Sequence, residues 1–92
     1  MIIRIMAEGQ YEVSDAELEA LNVLDTEVES AVLAGDADAF GAAFTQLLER
    51  VRGQGEALPD DALVDSDLVL PPADSGLDEV AAMLGDSGLI PG

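Results

Sequence analysis

"SDAELEALNVLDTEVESAVLAGDADAFGAAFTQLLERVRG", residues 14–53, decides the fold. Leu18, Leu21, Leu24, Val28 and Val32 recur at spacings of three or four, which puts them on one face of a helix. Ser14 and Glu17 have the spacing of a capping box, and Asp15 complements a helix N-terminus. Gly35 follows the last apolar position and predicts the residue that closes this helix. Asp36 then stands as the cap of a second helix, with Phe40, Phe44, Leu47, Leu48 and Val51 on its apolar face. Ala39, Gly41, Ala42 and Ala43 are small enough to let the two helices approach closely. Arg50 and Arg52 fall in the last turn, where cations suit the helix dipole, and Gly53 predicts the stop. A link this short between two amphipathic helices predicts an antiparallel helical hairpin.

On the N-terminal side, "MIIRIMAEGQYEV" (residues 1–13) alternates like a strand pair. Ile3, Ile5, Tyr11 and Val13 share one face of a predicted β-hairpin whose turn uses Gly9, and Ile2, Arg4 and Met6 take the other. On the C-terminal side, residues 54–67, "QGEALPDDALVDSD", read as a turn-rich linker. Leu68-Val69-Leu70 predicts a short strand ended by Pro71-Pro72. A third short helix starts near Gly76, with Asp74 or Ser75 as its cap. Leu77, Val80, Ala81 and Leu84 form its stripe, and Gly85 follows its end. The expected class is mainly α, of α+β type: N-terminal β-hairpin, antiparallel two-helix hairpin, short strand, third short helix. All of it belongs to a single domain of residues 1–92, with no internal repeat.

Composition narrows the function more than the fold. Twenty acidic residues against three basic ones give a net charge of −17, yet 49% of the chain is hydrophobic, so it is no disordered acidic tail. There is no cysteine, hence no disulfide or thiolate chemistry, and no histidine, hence no imidazole base, metal ligand or triad. All three basic residues are arginines, so lysine-based Schiff-base and P-loop chemistry are also absent. The negative charge disfavours nucleic acid and anionic lipid as direct partners. No apolar run approaches the roughly 20 residues of a membrane span, and the opening residues do not read as a signal peptide. The expected location is the cytoplasm, with no direct membrane insertion.

Carboxylate clusters occur at Asp36/Asp38 and Asp65/Asp67. They supply only the start of an EF-hand pattern and read as solvated loops and helix caps, with weak divalent-cation binding as the minor alternative. No catalytic, cofactor-binding or metal-binding residue is assigned and no cofactor is expected. The proline-limited apolar segments are the candidate partner interface: Leu68, Val69, Leu70, Leu89 and Ile90. Their competing role is structural, with Leu70, Leu89 and Ile90 packing onto the helical hairpin to anchor both ends of a short third helix.

"MIIRIMAEGQYEV", "ELEALNVLD", "LPDDALVDSDLVLPPADSGLDEVAAMLG" and the final "GLIPG" resemble the small PspA-associated (PspAA) proteins, over nearly the whole chain. "DLVLPPAD" and "GLIPG" are the most specific parts of the resemblance. These proteins accompany phage-shock protein A, PspA, in actinobacteria and some archaea, and arginine without lysine with abundant alanine fits a high-GC genome. Members commonly carry glycine where this chain has Ala7. The resemblance implies a largely three-helix, non-enzymatic accessory protein that binds PspA, a long helical hairpin that polymerises on stressed membranes. It also implies a role in the membrane-stress response, at the inner face of the membrane through PspA. The alternative is a free-standing structural or homo-oligomerising module without PspA contact.

Overall fold

Residues 1–13 form the expected hairpin, and the chain returns to it twice. The computed structural model describes residues 1–59, 61 and 64–83. Strand β1 (Ile2–Ile5) pairs antiparallel with β2 (Gly9–Glu12), setting Ile3 opposite Tyr11 and Ile5 opposite Gly9. The two-residue strand β3 (Glu56–Ala57) adds antiparallel to β2, and β4 (Leu68–Leu70) adds parallel to β1. The sheet is therefore mixed, in the order β3-β2-β1-β4. Alternation divides its faces as the sequence predicts: Ile3, Ile5 and Val13 are fully buried and Tyr11 half-buried.

The hairpin turn differs from expectation. It runs through residues 6–8, and two residues take positive φ, Ala7 at 67° and Gly9 at 149°. Gly9 tolerates this freely. Ala7 does not, because its Cβ crowds the backbone in the left-handed region.

Helix α1 (Leu18–Ala34) is entered through a 3-10 turn at Asp15–Glu17. That turn replaces the expected capping box. The Ser14 side chain makes no cap bond; its carbonyl accepts the Glu17 N–H at 3.0 Å. The Glu17 carboxylate faces Arg50 instead, whose Nε donates to it at 2.8 Å. At the other end Gly35 takes the left-handed conformation (φ 67°), and the Gly35 and Asp36 N–H groups donate to the Val32 and Ala31 carbonyls. The Asp36 carboxylate then accepts the Ala39 N–H at 3.1 Å and caps α2 (Ala37–Gln54). This helix passes through Gly53, the expected stop, and ends at Gly55. A Cβ at Gly55 would lie 2.5 Å from the Val51 carbonyl oxygen and 3.0 Å from Tyr11 Cβ. The chain can turn into β3 this close to β2 only with glycine there.

Helix α3 (Leu77–Met83) begins where the sequence places it, with Val80 fully buried and Leu77 and Ala81 half-buried. Leu84 and Gly85 lie outside the described residues. Ile3, Ile5 and Leu70 from the sheet, Leu21 and Val28 from α1, Phe40, Phe44, Leu47, Leu48 and Val51 from α2, and Val80 from α3 belong to one hydrophobic core. Phe40 and Phe44 stack within it, ring centroids 5.4 Å apart. The described fold is thus two layers, helices over one face of a sheet.

Candidate functional site

The strand "LVL" has two faces, and its side chains divide between them. Leu70 is fully buried in the core, followed by a buried Pro71, and Leu68 is half-buried against the same core. Val69 points the other way and is 47% exposed. Leu89 and Ile90 lie outside the described residues. Of the candidate interface residues described, Val69 is the exposed one.

Val69 belongs to the sheet face that carries no helix. Register places the neighbours. Gln10, Arg4 and Val69 form one row across β2, β1 and β4; Glu56, Glu12 and Ile2 form the next row across β3, β2 and β1. Met6, 44% exposed, continues the same face beyond Arg4, its N–H donating to the Leu70 carbonyl at 3.0 Å. Val64, 43% exposed, borders it.

Gln10 is the residue this face hides from sequence reasoning. Alternation puts it on the outward side, yet it is only 7% exposed. Its Nε2 donates to the Val64 carbonyl at 3.1 Å and to Ser66 Oγ at 2.8 Å, so the linker crosses over it. The Asp67 carboxylate accepts the Ile2 N–H at 2.8 Å and its own N–H donates to the Ile2 carbonyl, which ties the linker's end to β1. Asp25 lies on the inward face of α1 by its spacing from Leu21 and Val28, and its carboxyl is buried there, at 3% exposure. No local pattern announces the burial of Gln10, because the groups that cover it are distant in sequence.

Charge is unevenly spread. Two of the three arginines are neutralised: Arg50 by Glu17, and Arg52 by Glu8. The Glu8 carboxylate also accepts the Tyr11 hydroxyl at 2.7 Å. These donors, Arg52 first, hold the Glu8 carboxyl down at about 2, and the Glu8 carboxylate in turn pushes the Tyr11 phenol and the Arg52 guanidinium up. Arg4 is different: among the described residues it has no carboxylate partner. Glu12 and Glu56 sit directly opposite each other across β2 and β3, a like-charge pair, with the Met1 ammonium 3.7 Å from Glu12. Among the described residues no cluster of three or more acidic side chains is placed to hold a metal ion. Asp36 serves as a helix cap and Asp67 as a strand tie, so both act within the fold.

The family model described as "PspA-Associated protein" (PspAA) matches residues 1–92, the whole of this sequence. No curated protein and no solved structure gives a match.

Proposed function

The chain belongs to the PspA-associated family, and from that premise we propose that it is a non-catalytic accessory protein that binds PspA in the envelope stress response. The whole-chain family match carries the reading. The chemistry of the chain supports it: without histidine, cysteine or lysine, imidazole-based acid–base catalysis, thiolate attack and Schiff-base chemistry are missing. No helix among the described residues is long and apolar enough to cross a membrane. On this reading the protein works in the cytoplasm and reaches the inner face of the membrane through PspA, since its −17 charge opposes anionic lipid.

Co-purification tests the proposal. The chain and the PspA of the same organism are expressed together, one of them tagged, and eluted across a salt series. Co-elution that weakens with salt is expected, because charge complementarity contributes to the contact. A folded chain that never co-elutes, at any salt concentration, overturns the proposal. Light scattering of the chain alone checks the rival, a homo-oligomer; a stable multimer indifferent to PspA favours that rival.

A further inference from the structure

The negative surplus of this chain survives any arrangement of its side chains. Three arginines and the Met1 ammonium, paired one to one, neutralise four of twenty acidic side chains. Two of those arginines tie distant parts of the fold together, Arg50 to Glu17 and Arg52 to Glu8, 33 and 44 positions apart. Elsewhere whole elements carry acids alone. Beside the buried Asp25, helix α1 holds Glu19, Glu27 and Glu29 towards solvent and no basic residue in its 17 positions. Helix α3 begins with Asp78 and Glu79 and holds no base either.

Salt acts on these two sets of charges in opposite directions. It weakens the two ties, whose side chains are 21–41% exposed, and it weakens the repulsion among carboxylates. Magnitudes decide which effect wins. Each tie is one contact, whereas a surplus of 17 charges repels through every pair at once. Folding also concentrates that charge. The native chain has a radius of gyration of 12.6 Å, against roughly 30 Å for an unfolded chain of about this length, so the repulsion falls mainly on the native state. The molecule measures 38 × 25 × 22 Å. At 0.01 M salt the Debye length is about 30 Å, and nearly every carboxylate acts on every other. At 0.15 M it is about 8 Å and only neighbours interact; at 1 M it is about 3 Å.

We infer that the fold is coupled to ionic strength: monovalent salt stabilises the native chain by screening its own acidic surface, so the folded fraction rises and falls with the salt around it. The inference concerns the free chain and stands apart from the PspA reading. A bound cation would produce a similar trend, but among the described residues no three acidic side chains are placed to hold one.

The experiment follows far-UV circular dichroism and melting of the full chain at pH 7, from 0.01 M to 1 M potassium chloride. The Tm is expected to rise by about 10 °C or more, which corresponds to roughly tenfold or more in the folding equilibrium. Most of the rise should fall below about 0.15 M, where the Debye length shortens most. A chain that is unfolded at 0.01 M and folds as salt is added supports the same inference. Choline chloride should reproduce the potassium curve, since screening does not depend on the identity of the cation. The double variant Glu27→Gln/Glu29→Gln should melt above wild type at 0.01 M and converge on it at 1 M. A Tm that is flat or falls with salt would show that the two ties outweigh the surplus and overturns the inference. So does a rise that potassium produces and choline does not, because it assigns the effect to a bound ion. A folded double variant that melts no higher than wild type at 0.01 M overturns it as well.

Discussion

Arg52 and Glu8 join the last turns of α2 to the turn of the β-hairpin, 44 positions apart in sequence. Nε donates to one carboxylate oxygen at 2.8 Å and a terminal guanidinium nitrogen reaches the other, the two-pronged geometry that lysine cannot reproduce. Tyr11 donates to the same carboxylate and completes the clamp. The clamp closes over the turn that contains Ala7, so it holds the strained residue in place.

The clamp makes part of the stability pH-dependent. Glu8 has an ordinary carboxyl value of 4.5 when unfolded and about 2 when folded, so its contribution is fully present above pH 4.5 and is lost as pH falls towards 2. Glu8→Gln should therefore melt below wild type at pH 6–7, and the gap should close between about pH 4.5 and 2. Melting curves of both proteins across that range measure it. A gap unchanged at pH 2.5 would show that the clamp works by packing and not by charge.

Ala7→Gly should stabilise. Ala7 holds φ at 67°, where a Cβ costs about 1–2 kcal/mol, part of which glycine returns as greater freedom in the unfolded chain. A net gain of about 1 kcal/mol in denaturant unfolding is expected, with an unchanged slope against denaturant. A loss of stability would mean that the Ala7 methyl makes a contact worth more than the strain.

Gly55→Ala should destabilise by about 1–3 kcal/mol, the usual cost of forcing extra atoms into a closed space. The new methyl would meet the Val51 carbonyl at 2.5 Å, and that oxygen is fixed by the Gly55 N–H it accepts at 2.8 Å. Gly53→Ala, where a Cβ meets nothing within 4 Å, is the control and should be neutral or stabilising within a helix. Equal effects at the two positions would remove the steric account.

Neighbours in "LVL" should behave oppositely. Leu70→Ala removes a fully buried side chain and should cost about 2–5 kcal/mol, a large share of a small domain's stability. Val69→Ala, on the exposed face, should cost under about 1 kcal/mol. Urea unfolding of both variants separates the two. A Val69→Ala loss as large as that of Leu70→Ala would place Val69 in a covered interior.

The two helices within residues 14–53 were legible because their main signals are local, although the start of the first and the end of the second were not. The stripes at three and four spacing, the Gly35 closure and the Asp36 cap act within one or two turns. The hairpin faces were likewise set by alternation. Tertiary structure decided whatever depended on partners far along the chain. Glu17 had the spacing of a cap but found Arg50 33 positions away, and a charged donor in reach outcompetes a local backbone bond. The pair Glu56–Ala57 has no strand pattern of its own and became β3 only because β2 offered an open edge beside Gly55. Gln10 was buried by a linker 54–56 positions later. The candidate site divides the same way. Leu68, Val69 and Leu70 stood out as an apolar run stopped by proline, but which of them faces outward depended on β4 pairing parallel to β1. That one register turns Leu70 into core and Val69 outward, because side chains alternate across a sheet and only the paired sheet has a buried face.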